Sequence, residues 1–79
     1  MHITAKLYGN LRRYLPTKKE TAELDVESGT TIAALLERLE VPDSEVWMCA
    51  VNDTVLPPTT VLNEGDLLEV FEPVGGGRQ

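Results

Sequence analysis

Ser28-Gly29-Thr30-Thr31-Ile32-Ala33-Ala34-Leu35-Leu36-Glu37-Arg38-Leu39-Glu40 is the stretch on which the fold turns. Its first four residues read as a turn ending in a helix cap, because a threonine hydroxyl can accept a hydrogen bond from an otherwise unpaired amide of the first helical turn. Ile32, Leu35, Leu36 and Leu39 then fall at i, i+3, i+4 and i+7, one apolar stripe suited to packing on a sheet. The pattern predicts a helix running to about Glu40, with Pro42 marking its end.

On the N-terminal side, Ile3, Ala5 and Leu7 alternate with His2, Thr4, Lys6 and Tyr8, the period-two signature of a half-buried strand, with Tyr8 facing outward. After a basic loop containing Leu11, Leu15 and Pro16, a second alternation puts Ala22, Leu24 and Val26 on one face and Thr21, Glu23 and Asp25 on the other. The two strands form a hairpin whose loop leucines tuck under the sheet edge. On the C-terminal side, Val46–Val51 is almost continuously apolar and reads as a strand covered on both faces. Asn52-Asp53 is a turn, and Pro57-Pro58 and Asn63–Asp66 punctuate an irregular stretch before a last strand, Leu67–Glu72, with Leu68 and Val70 on one face and Leu67, Glu69 and Phe71 on the other. A helix between two strand pairs in so short a chain packs across one face of a sheet, which makes a two-layer α+β domain. With the first and last strands as neighbours, the sheet is mixed and the last strand runs through its middle.

The chain has 79 residues and a mass of 8.7 kDa, enough for one domain with a thin core. Its 42% hydrophobic and 25% charged residues fall in the ordinary globular range. The sequence contains neither a long apolar span nor a signal-peptide pattern, so a soluble, cytoplasmic protein without membrane contact is expected. One cysteine and one histidine exclude an internal disulfide and an all-protein zinc site. The net charge of -6 is unevenly placed: Lys6, Arg12, Arg13, Lys18 and Lys19 face only Glu20 in residues 1–20, whereas residues 21–79 hold two basic and twelve acidic side chains. Such an acidic surface repels nucleic acid and keeps the chain soluble, and it would also favour a partner with a basic docking surface.

An enzyme site is hard to assemble from these residues. His2 stands at a strand end and Cys49 lies in an apolar strand, where burial raises a thiol's pKa and blunts its reactivity. Glu37, Glu40, Asp43 and Glu45 lack the spacing of a calcium loop and read as a solvated acidic face. Gly75-Gly76-Gly77 precedes no helix and is no phosphate-binding loop. The C-terminal Phe71-Glu72-Pro73-Val74-Gly75-Gly76-Gly77-Arg78-Gln79 has two readings: a frayed end, or a side-chain-free thread, stiffened at its start by Pro73, that enters a narrow cleft in another protein.

Taken in order, Ile3–Arg12, Gly29-Thr30-Thr31-Ile32 with Leu35-Leu36, Ala50-Val51-Asn52, Leu62–Asp66 and Phe71–Gly77 resemble the ubiquitin-like β-grasp sulfur carriers. The resemblance covers residues 1–77 and is nearest to the small-subunit branch of molybdopterin synthase, with the thiamine-pathway carriers more distant. It implies a β-grasp domain over residues 1–74, with a mixed four- to five-stranded sheet on one helix, and a flexible glycine-rich tail over residues 75–79. It also implies that the chain is a co-substrate and not itself an enzyme. In such carriers a ubiquitin-activating-type adenylyltransferase spends ATP to adenylate the terminal glycine carboxylate, which becomes a thiocarboxylate that donates sulfur to a synthase subunit or other acceptor. By alignment Gly77 is the acyl site, Gly76-Gly77 the diglycine, Tyr8, Val55 and Phe71 an apolar docking patch, and Arg12 a basic position beside it. No cofactor is bound by the carrier itself. Mutual packing that shields a sheet face is an equal account of Tyr8 and Phe71.

Two departures from the family pattern bear on function. Arg78-Gln79 follows the diglycine, so the chain is expected to be a precursor from which a peptidase exposes Gly77. Glu72 stands where the family usually has proline. A ubiquitin-like modifier joined to lysines through Gly77, and a bare interaction module with a vestigial tail, are the competing readings.

Overall fold

Alternation yields the first hairpin. In the computed structural model, which describes residues 1–73, β1 (His2–Leu7) and β2 (Thr21–Asp25) pair antiparallel, with Ile3 opposite Leu24 and Ala5 opposite Ala22. The connecting segment forms a 3₁₀ helix, Gly9–Tyr14. Leu11 in it and Leu15 just after it are fully buried, so the loop leucines floor the core as their apolar character requires.

The second hairpin joins β3 (Met48–Val51) to β4 (Thr54–Val55) through Asn52-Asp53, both left-handed at φ 51° and 71°. Two such residues make the turn whose twist matches that of the flanking strands. β5 (Leu67–Phe71) then lies parallel to β1 and antiparallel to β3, giving one mixed sheet in the order β2-β1-β5-β3-β4. Its centre is the last strand, with Leu68 and Val70 fully buried on the helix side.

The helix α1 (Ile32–Arg38) covers that inner face. Thr31 caps it, its hydroxyl accepting from Ala34 N–H at 3.1 Å, while Ile32 and Ala33 N–H donate to the carbonyls of Thr60 and Pro58. The irregular stretch around Pro57-Pro58 thus satisfies the helix's orphan first-turn amides. The helix is shorter than the apolar stripe predicts. Leu39 is its C-cap and Glu40 turns left-handed at φ 64°, so that Val41 N–H reaches Leu36 O and Glu40 N–H reaches Glu37 O. That pair of hydrogen bonds stops the helix at Arg38, four residues before Pro42, and the buried Val41 seals it.

β3 is also shorter than expected. Cys49, Ala50 and Val51 are buried in succession, but Val46 lies outside the strand and Trp47 is 57% exposed. Two-residue β4 pairs only with Ala50 and Val51, so among the described residues no strand pairs with the chain at Trp47 on that side. Val26 continues the β2 alternation past the strand end, its amide held by Met1 O at 2.8 Å.

Candidate functional site

The sheet's outer face carries the side chains that the core does not use. Parallel pairing sets Leu7 beside Val70, which brings the next residues, Tyr8 and Phe71, together; their rings stack with centroids 4.9 Å apart and planes 17° from parallel. Both are half-buried, and the stack is an offset aromatic pair of the favourable kind. Tyr8 O–H donates to the Glu69 carboxylate at 2.5 Å. That hydrogen bond, aided by burial and by the charge on Glu69, pushes the Tyr8 phenol up to about 12. Across β5, Glu69 faces Ala50, and Ala50 in turn faces Val55, which is 59% exposed.

The structure therefore joins Tyr8 to Phe71 and puts Val55 on the same face, two strands away. Arg12 is exposed in the 3₁₀ helix, and among the described residues no hydrogen bond or ion pair ties its side chain to that face. Its neighbour Arg13 is occupied, stacked over the Tyr14 ring and paired with Glu45 at 2.8 Å. Gly75, Gly76, Gly77, Arg78 and Gln79 lie outside the described residues.

Two features of this surface escaped the sequence reading. Glu69 sits amid the aromatic pair as its hydrogen-bond acceptor; strand parity places it on this face, but no pattern marks it as Tyr8's partner. Trp47, read as strand interior, instead walls an apolar groove of about 380 Å³ with Met48, Cys49, Leu56 and Pro58. Cys49 is 3% exposed, and burial raises its thiol's pKa. His2 is exposed, and Glu37, Glu40 and Asp43 are solvated. Among the described residues no cluster of acidic, histidine or cysteine side chains could hold a metal ion, and no helix is long and apolar enough to cross a membrane.

A β-grasp sheet with an aromatic pair at the end of its central strand, just before the glycines, is matched by the ThiS family model over residues 5–77. The chain belongs to the ThiS family. Solved structures share its fold. Small archaeal modifier protein 1 of Haloferax volcanii superposes with a TM-score of 0.73 at 20% identity, over 92% of this chain and 98% of that one. Urm1 of Trypanosoma brucei gives 0.68 at 21% identity, over 96% and 95%. A structure of the complex of subunits 1 and 2 of the molybdopterin-converting factor of Helicobacter pylori gives 0.62 at 23% identity, over 98% and 100%. No curated protein sequence matched the chain. What this chain shares with the archaeal modifier and Urm1 is the β-grasp fold.

Proposed function

We propose that the protein is a cytoplasmic sulfur carrier working through the carboxylate of Gly77. A peptidase first removes Arg78-Gln79. A ubiquitin-activating-type adenylyltransferase then directs the Gly77 carboxylate onto the α-phosphorus of ATP, releasing pyrophosphate. A sulfide-level nucleophile displaces AMP from the acyl adenylate and leaves a thiocarboxylate. The sulfur passes to a synthase-type acceptor, in the assembly of a molybdopterin- or tungstopterin-type cofactor. The observation that carries this reading is the family match, which runs through the diglycine and ends at Gly77. Burial of Cys49 raises its thiol's pKa, which fits a chain whose acyl chemistry runs at its terminal carboxylate and not at a thiol.

The outer face supplies the docking surface in this reading, with Tyr8, Phe71 and Val55 as apolar contacts and Arg12 at the margin. The two-subunit complex from Helicobacter pylori supports a synthase subunit as one partner. A second reading, a modifier joined to lysines through Gly77, draws on the fold shared with the archaeal modifier and Urm1.

Intact mass of the protein from its own cells, under non-reducing and thiol-protecting conditions, tests both. A chain ending at Gly77, with a fraction heavier by about 16 Da for oxygen exchanged with sulfur at the activated acyl group, is the expected result. Isopeptide conjugates without that fraction would select the modifier, and a chain found only intact to Gln79 would refute both.

A further inference from the structure

Glu72 follows β5 directly, and its carboxylate reaches back over the start of the 3₁₀ helix. It accepts from Asn10 N–H at 3.3 Å. It also lies against Gly9, which is left-handed at φ 61°; a Cβ built on residue 9 would land on the Glu72 carboxylate. The close approach therefore exists because residue 9 is glycine, which supplies both the backbone angle and the room.

This contact stands where the main-chain ladder gives out. Tyr8 N–H donates to Val70 O at 3.1 Å and Trp47 N–H donates to Phe71 O at 2.7 Å, the last backbone bonds holding the described part of the central strand. After Tyr8 the first strand's continuation curls into the 3₁₀ helix and can offer no further rung. Glu72 replaces the missing rung with its side chain, and is the last tether among the described residues before Pro73.

We propose that Glu72 is a positioning residue: latched over Gly9 onto the Asn10 amide, it sets the direction in which the chain leaves the sheet toward Gly77. This rests on the sulfur-carrier reading. Gly77 lies five residues beyond Glu72, a reach of at most about 18 Å when extended. Anchoring the base of so short a thread narrows the directions it can sample before it meets a partner's cleft, and so reduces the ordering required on binding. The latch touches no reacting atom. Its loss weakens productive engagement and leaves the acyl-transfer step itself unchanged.

The test is ATP–pyrophosphate exchange by the cognate activating enzyme on the chain ending at Gly77, which keeps every residue of the described fold. Glu72→Ala should raise KM for the carrier about fivefold, the order set by one ordinary, solvent-exposed hydrogen bond, with kcat unchanged. Glu72→Gln keeps an acceptor oxygen and should stay within about twofold of the parent. Gly9→Ala, whose new methyl evicts the carboxylate and strains the left-handed backbone, should raise KM at least as much as Glu72→Ala, and the double variant should be no worse than Gly9→Ala alone. An unchanged KM in Glu72→Ala, a fall in kcat instead, or additive losses in the double variant would overturn the proposal while leaving the carrier reading intact. An inert parent chain would sink the carrier reading, and the positioning role with it.

Discussion

Tyr8 gives its phenolic proton to Glu69, and the pair behaves differently from two solvated side chains. Because folding raises the Tyr8 pKa from 10.0 to about 12, the native state favours the protonated phenol. The stability this contributes is fully present below pH 10 and is lost as the pH rises through about 12. In a Tyr14→Phe background, where Tyr8 is the only tyrosine left, tyrosinate absorbance should therefore rise late, and Glu69→Gln should bring the transition back toward pH 10, because the charged acceptor is the largest cause of the shift. A transition unmoved by Glu69→Gln would mean that burial alone sets it. Asn52 and Asp66 teach a related lesson. Both lie in stretches that mark the family in the sequence, yet the structure gives them a fold-building role: Asn52 Nδ2 donates to Asp66 Oδ1 at 2.9 Å, Asp66 Oδ2 accepts from Asn63 N–H at 2.7 Å, and Asn52 Oδ1 accepts from Leu67 N–H at 2.9 Å. The network pins the β3–β4 turn to the start of the central strand. Asp66 is 8% exposed, so Asp66→Ala strands the Asn63 amide and the Asn52 side-chain amide, and should cost about 1–3 kcal/mol in urea unfolding. Sequence spacing could not show this, because residues 52 and 66 meet only once the strands pair.

At the scale of elements, periodicity carried most of the information. The six regular elements occur in the order that alternation and the helical stripe predict, and the central place of β5 follows from its pairing with β1. The misjudged boundaries have particular causes. The apolar stripe reaches Leu39, but a stripe reports which residues want burial and not where the backbone leaves the helix; here a left-handed Glu40 ends it. The Val46–Val51 run reports burial in the same blind way, and Trp47 lies outside because β4 is too short to flank it. Glu40 also makes a prediction. A non-glycine residue at φ 64° is strained, and an acidic side chain at a helix C-terminus opposes the helix dipole. Glu40→Gly should therefore stabilise the fold by about 0.5–1 kcal/mol, despite the extra freedom that glycine gives the unfolded chain. Thr31→Ala works the other way at the opposite end. It removes the acceptor for Ala34 N–H and should cost about 1 kcal/mol. Thermal denaturation of the two variants, read against the parent, checks both signs.

For the whole molecule, the core is assembled among residues 1–73. Residues 1–73 supply both hairpins, the helix, its caps and every buried side chain of the main cluster. Burial of that cluster holds the fold together, since apolar area removed from water is the dominant favourable contribution. The candidate site was legible in a different manner from the fold: the glycine run is visible in composition, yet composition alone could not separate a useful thread from a frayed end, because neither leaves a trace in hydrophobic pattern. Function and stability should accordingly come apart. In the chain ending at Gly77, Leu35→Ala, which empties a fully buried position under the sheet, should cost about 2–5 kcal/mol and lower the melting temperature sharply. Removing Gly76-Gly77 should leave the melting temperature within about 2 °C of the parent, as expected for a change outside the core, while abolishing ATP–pyrophosphate exchange with the activating enzyme. A large drop in melting temperature on losing the diglycine would show that the C-terminal residues help to hold the fold, and would undo the separation between scaffold and reacting end on which the carrier mechanism depends.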